Sequence, residues 1–179
     1  MINALRCHHC DTPPLQWWDI LASDAQSFVD GCPTVPSTSS QRMGAGETIS
    51  WVGLSYPFLA ESAANWLDII ADKWYMQEHY YHYEVGFGVE GQQITAFAQL
   101  VYDSTQYVGC AYNRDCDNVP QFRGILPNSV AVCRFWGPVS GYSGERAQHI
   151  HNTVARGHCA EPHPDCASVE KWDIPPSDH

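Results

Sequence analysis

Ile94-Thr95-Ala96-Phe97-Ala98-Gln99-Leu100-Val101-Tyr102 and, after three residues, Gln106-Tyr107-Val108-Gly109-Cys110-Ala111-Tyr112-Asn113 form the stretch whose reading decides the fold class. In its first half, Ile94, Phe97, Ala98 and Val101 recur at helical spacing. The second half is a β-like run, and Ser129–Trp136 is another. Upstream, Thr48–Val52 reads as a short strand following Gly44-Ala45-Gly46-Glu47. Before it, Leu15, Trp18, Leu21, Ala22, Ala25, Phe28, Val29 and Cys32 repeat at helical spacing, with Asp19, Ser23, Gln26 and Asp30 opposite. That pattern predicts a helix opening just after Asp11-Thr12-Pro13-Pro14, with Thr12 as its cap, and ending near Gly31. Ala63, Trp66, Ile70 and Trp74 predict a further helix over about Ser62–Tyr75, and Gln77–Gln93 reads as irregular. Helices and strands are segregated and no βαβ alternation occurs, so the fold class is α+β.

Composition narrows function before any motif does. The 179 residues suit one domain, and 44% hydrophobic content argues against disorder. Nine basic against 20 acidic side chains leave a formal charge of −11, which disfavours nucleic acid and anionic membrane surfaces as partners. No apolar run approaches the roughly 20 residues that span a bilayer. Eight cysteines, an even number, read as a disulfide framework made in an oxidising compartment. Met1-Ile2-Asn3 leads directly into polar sequence, so a secreted form is expected to be a mature chain whose leader has been removed.

The ordered landmarks resemble the superfamily of cysteine-rich secretory proteins, antigen 5 and pathogenesis-related 1 (CAP). Asn3-Ala4-Leu5-Arg6 is similar to that family's opening His-Asn-x-x-Arg helix, with Ile2 in place of the His. Pro14-Leu15-Gln16-Trp17, Leu21-Ala22-Ser23-Asp24-Ala25 and Cys32 resemble its first long helix, and Gly46-Glu47-Thr48-Ile49 its Gly-Glu-Asn-Ile strand. Trp66 matches the Trp of a Trp-x-x-Glu helix, and Phe97–Tyr102 resembles the His-Tyr-Thr-Gln-Val-Val-Trp segment. Val108-Gly109-Cys110-Ala111 and Cys116 follow in the family's order, whereas Ala131, Phe135 and Ser140 depart from its signature around Cys133.

The resemblance implies an α-β-α sandwich, a small and mostly antiparallel sheet between helical layers. It places a CAP-like domain at 1–145 and a His/Cys-containing C-terminal extension at 146–179, packed on or trailing from it. It further implies Cys32 with Cys110 and Cys116 with Cys133, leaving Cys7, Cys10, Cys159 and Cys166 to pair in any of three ways.

Many relatives carry two His and two Glu in a cleft able to hold a divalent metal, since imidazoles and carboxylates suit zinc-like ions. Carried onto this chain, the first His falls on Pro36, the first Glu on Glu47, the second Glu on Ile69 and the second His on Ala96. One carboxylate alone neither holds a transition metal nor runs an acid/base pair. The expectation is therefore a cleft remnant without catalytic residues, cofactor or metal, in which Glu47 bonds local backbone.

His79, Tyr80, Tyr81, His82, Tyr83 and Phe87 form the most unusual stretch and are the candidate ligand-binding residues. The competing expectation is that the tyrosines pack beneath the loop. These readings point to a secreted, non-catalytic domain that binds an extracellular partner or a small apolar molecule such as a sterol or lipid. The alternative is a metal-dependent enzyme or metalloprotein with a relocated site. It would use His79 and His82, or the Cys/His groups Cys7-His8-His9-Cys10, His149, His151, His158, Cys159, His163 and Cys166. No Gly-x-Ser-x-Gly elbow is present to suggest a serine nucleophile.

Overall fold

Asn3 and Arg6 explain why the chain opens as it does. Both stand on a five-residue helix, α1 (Ile2–Arg6), whose Leu5 enters the core. The Asn3 amide donates to the Leu15 carbonyl at 2.9 Å, and its oxygen accepts from the Leu15 N–H at 2.7 Å. Arg6 is fully buried and donates to the carbonyls of Pro13, Leu100, Tyr102 and Thr105. Burial pulls the pKa of this guanidinium down to about 9, against the raising effect of Asp103, so it remains charged at neutral pH. The computed structural model describes residues 1–53, 69–83, 87–114, 116, 127–137 and 163–169.

The capture of Leu15 by Asn3 corrects the expected start of the long helix. The Gln16 and Trp18 N–H groups donate to the Gln106 and Val108 carbonyls, so Gln16–Trp17 is a short strand, β1. Helix α2 runs Asp19–Asp30 with extended Trp18 as its N-cap, while Thr12 bonds the Cys10 carbonyl instead of capping. Its C-terminal end is at Gly31, as expected from the periodicity.

Strands β2 (Gly46–Gly53), β5 (Tyr107–Asn113) and β6 (Pro127–Trp136) complete a sheet of order β1-β5-β6-β2. Its β5–β6 and β6–β2 pairings are antiparallel and β1–β5 is parallel. Ile69–Trp74 forms a π-helical turn and Tyr75–Tyr80 a 3₁₀ helix. Then come a small hairpin, β3 (Tyr81–His82) and β4 (Phe87–Gly88), and helix α3 (Thr95–Val101). The segment expected to be irregular therefore holds short ordered elements; residues 62–68 of the expected second helix lie outside the described residues.

Side-chain alternation along the strands divides the core into two layers. Ala25 and Val29 of α2 pack on Ala111, Val130, Val132, Ile49 and Trp51. Leu5, Ile69, Trp74, Phe97 and Leu100 pack on the opposite face with Val108, Ala131, Cys133 and Phe135. The fold is an α-β-α sandwich.

These two faces also correct the expected disulfides. Cys110 and Cys133 are direct partners in the β5–β6 ladder, 4.0 Å apart at Cα, and are joined to each other. Cys32, just past α2, is joined to Cys116, and both belong to the α2 layer. A bond from Cys32 to Cys110, or from Cys116 to Cys133, would have to cross the sheet. Cys7 pairs with Cys166, 159 residues away, which ties the 3₁₀ turn Pro164–Ser168 to α1. Cys10 is disulfide-bonded as well, and no described cysteine is free.

Candidate functional site

The aromatic stretch divides by side. Tyr81 is buried and Tyr83 packs against the same core layer, whereas His79, Tyr80 and His82 face outward. Strand alternation sets this pattern, because Tyr81 pairs with Gly88 and His82 with Phe87. Gly88 is required at its position: a Cβ there would lie 2.7 Å from Ile94 Cγ2. The Val89 N–H closes the hairpin onto the Tyr80 carbonyl.

Behind this hairpin lies a closed set of rings. Tyr81 meets Tyr83 and Phe97 at centroid distances of 5.0 and 5.4 Å, and buried His9 stacks on Tyr83 at 6.3 Å. His9 Nε2 is 3.0 Å from the Tyr75 hydroxyl, which bonds the Glu78 carboxylate, as does the Tyr83 hydroxyl. With Tyr75 donating to Glu78, its oxygen accepts from His9 Nε2–H. Burial holds both tyrosines well above their ordinary pKa of 10, and the charge and hydrogen bonds of Glu78 push the same way. Each proton has a designated acceptor, so the network stiffens the hairpin. Sequence reading missed His9 as part of this site; its signal was a histidine in Cys7-His8-His9-Cys10, a segment that also carries two bridged cysteines.

The outward face is different in character. Met76, Tyr80 and Val89 are 60%, 37% and 40% exposed, with His79 and His82 beside them. Met76 and His79 are one 3₁₀ turn apart and share a face, and the Tyr80 carbonyl holds the Val89 N–H, so these exposed groups form a band along one helix-and-hairpin unit. Of the six candidate ligand-binding residues, His79, Tyr80 and His82 therefore lie on this band, and Tyr81 and Tyr83 support it. The Phe87 backbone completes the hairpin; its side chain lies outside the described residues.

The four positions assigned to the cleft do not converge. Pro36 is exposed. Glu47 points to the α2 face, where it accepts from the Ser37 N–H at 3.0 Å and the Ser37 hydroxyl at 2.7 Å and pairs with buried Arg134. Ile69 and Ala96 belong to the opposite layer. The residue that touches Ala96 is Gln77, whose Oε1 accepts from the Ala96 and Phe97 N–H groups at the start of α3. Trp74 and Gln77 have the Trp-x-x-Glu spacing with an amide in place of the carboxylate, a signal that reading the motif at Trp66 passed over; Trp66 itself lies outside the described residues. This donor set does not fit a divalent ion. Glu47 is taken by Arg134, Gln77 by helix N–H groups, and Ile69 and Ala96 carry no ligating atom.

The terminal Cys/His groups are also spoken for where they are described. Cys7, Cys10 and Cys166 are in disulfides, so none is a thiolate ligand. His163 Nδ1 accepts from the Asp165 N–H and caps its own turn. His149, His151, His158 and Cys159 lie outside the described residues. Among the described residues, no three His, Cys, Asp or Glu side chains are placed to share a metal ion, and no helix is long and apolar enough to cross a membrane.

Residues 1–135 match the family model of the cysteine-rich secretory protein family, CAP. Among solved structures, Na-ASP-1 is similar at TM-score 0.59 and 16% identity, covering 88% of this chain and 40% of that one. Venom allergen-like protein 4 of Schistosoma mansoni is similar at TM-score 0.55 and 13% identity, with 80% and 83% covered. NaASP2, a structure solved with Zn2+, is similar at TM-score 0.53 and 15% identity, with 82% and 84% covered.

Proposed function

This chain belongs to the cysteine-rich secretory protein family, and we propose that it is a secreted, non-catalytic domain that binds an extracellular protein through the band of Met76, His79, Tyr80, His82 and Val89. The observation that carries this reading is an exposed apolar and aromatic band on a packed aromatic base. Met76 and Tyr80 stand exposed on the 3₁₀ helix and Val89 just past the hairpin, whose inner rings Tyr83 and Tyr81 pack on His9 and Phe97. Aromatic and Met side chains with polar tips are the residue types that dominate protein recognition, and a rigid base lowers the entropy cost of using them. The disulfides and the family support an extracellular setting. The absence of a fitting donor set at Glu47, Gln77, Ile69 and Ala96 supports a non-catalytic role, although the related NaASP2 has been solved with Zn2+.

The test is capture of extracellular proteins by the immobilised domain and by Met76→Ala and Tyr80→Ala variants of unchanged circular dichroism. Each substitution should weaken capture by roughly tenfold, the equivalent of about 1.4 kcal/mol. Labelled cholesterol that binds the parent protein and is lost in Tyr80→Ala would replace the protein partner by an apolar ligand. Capture that neither variant changes would remove the band from function.

A further inference from the structure

We propose a second binding site, for a neutral oligosaccharide, on the open edge of the sheet around Trp17. It is independent of the hairpin band. Trp17 is 57% exposed, the most exposed aromatic side chain among the described residues. Burying an indole is worth a few kcal/mol, so this ring offers a flat apolar face that a ligand gains by covering.

Trp17 is also held. Its strand is fixed by the Gln16 N–H on the Gln106 carbonyl at 2.8 Å and the Trp18 N–H on the Val108 carbonyl at 2.9 Å. Its indole Nε1 donates to Asp19 Oδ1 at 2.9 Å. Behind it, Trp18 packs on Tyr107 with centroids 5.2 Å apart, which buttresses the edge. The ring is thus oriented before any ligand arrives, and little rotamer entropy remains to be lost on binding.

The chemistry around the ring selects the ligand. The face of an indole is the negative pole of its quadrupole, and it attracts groups carrying partial positive charge. The axial C–H bonds on the flat face of a β-linked glucose or N-acetylglucosamine ring are such groups. Asp19 is bonded to the ring, and exposed Gln106 lies on the face of the sheet that Trp17 shares with Val108. The Gln106 amide supplies a donor and an acceptor for sugar hydroxyls, and the Asp19 carboxylate accepts hydroxyl hydrogen bonds of the charge-assisted kind. No Lys or Arg occurs in residues 7–41 or 74–113, the two segments that build this edge. Asp103 faces the Arg6 cation, whereas Asp19 leaves a negative charge beside the ring, so sulfated or uronic glycans and phosphates are disfavoured there. An uncharged polyhydroxylated ring satisfies both the exposed indole and the acceptor-rich rim.

Calorimetric titration with cellohexaose, laminarihexaose and chitohexaose, with heparin as anionic control, tests the site. At least one neutral hexasaccharide should bind. Trp17→Ala should weaken that binding at least tenfold, with Trp17→Phe recovering part of it and Asp19→Asn lowering it several-fold. Met76→Ala, on the 3₁₀ helix before the hairpin, should leave it unchanged, so failure of this site and failure of the Met76–Val89 band are separable. Thermal melts confirm folding of each variant, and Trp17→Phe remains informative if Trp17→Ala is unstable. The proposal is overturned by no binding of any neutral hexasaccharide at millimolar concentration, by preference for heparin, or by sugar binding that Trp17→Ala leaves intact.

Discussion

At the scale of single residues, Arg134 has the largest consequence for the site. It is 1% exposed, donates Nε to Asp24 at 2.9 Å and Nη1 to the Ser37 hydroxyl at 2.7 Å, pairs with Glu47, and lies 4.9 Å over the Phe28 ring. A side-chain cation thus stands against the carboxylate that resemblance assigned to a metal cleft. The expectation that Glu47 bonds local backbone holds for the Ser37 N–H, but its principal partner comes from β6. Removing one member of a buried ion pair leaves the other charge stranded, at a cost of roughly 3–5 kcal/mol. Arg134→Met should therefore lower unfolding free energy in urea by about that amount. Glu47→Gln, which leaves Asp24 in place, should cost about 1–3 kcal/mol. An Arg134→Met protein as stable as its parent would show that Glu47 does not depend on this cation.

At the scale of elements, α2 lies on β5 at a point set by one glycine. A Cβ at Gly109 would fall 2.2 Å from the Ala22 nitrogen and 2.6 Å from the Leu21 carbonyl carbon, both backbone atoms. Neither can rotate away, so the helix itself would have to lift from the sheet. Gly109→Ala should destabilise by about 3 kcal/mol, the upper range of overpacking, and amide exchange should quicken along both α2 and β5. An unchanged melting temperature would mean that α2 tolerates displacement. Gly46 differs: its nearest neighbour is the Gln99 side chain, which can move. Val108-Gly109-Cys110-Ala111 was legible as a strand from its residue types, whereas the reason for its glycine lies on a helix more than 80 residues earlier in the chain.

For the molecule as a whole, pH reports the summed burial of three groups. Tyr75 and Tyr83 keep their protons above the ordinary value of 10. Above that pH the unfolded chain releases these protons and the folded chain does not, so stability falls as pH rises. Arg6 acts in the opposite sense, because its folded pKa of about 9 lies below its ordinary 12.5 and stability gains with pH between them. The two tyrosines outweigh the one opposing group, so stability declines as pH rises above 10. Absorbance of ionised tyrosine at 295 nm should show Tyr75 and Tyr83, of nine tyrosines in all, titrating only as the chain unfolds. Ionisation of all nine while the fold persists would contradict the buried network. The Cys7–Cys166 bond works at the same scale: closing a loop of 159 residues restricts the unfolded chain by about 5 kcal/mol in the chain-entropy account.

Local periodicity was sufficient for α3, for β2, β5 and β6 and for the C-terminal end of α2, because a repeat of 3.6 or 2 residues decides which side chains share a face before any contact is made. The same reasoning made the oxidised state of the cysteines readable from residue types. Tertiary structure alone decided the rest. The side chain of Asn3 turned Leu15 out of a helical pattern, and the sheet separated Cys110 from Cys32 and joined it to Cys133. Arg134 claimed Glu47 from 87 residues away, and Gln77 took the place beside Ala96 that spacing from Trp66 had given to Ile69. Each of these outcomes depends on which residues distant in sequence share one face of the sheet, and no window along the chain contains that information.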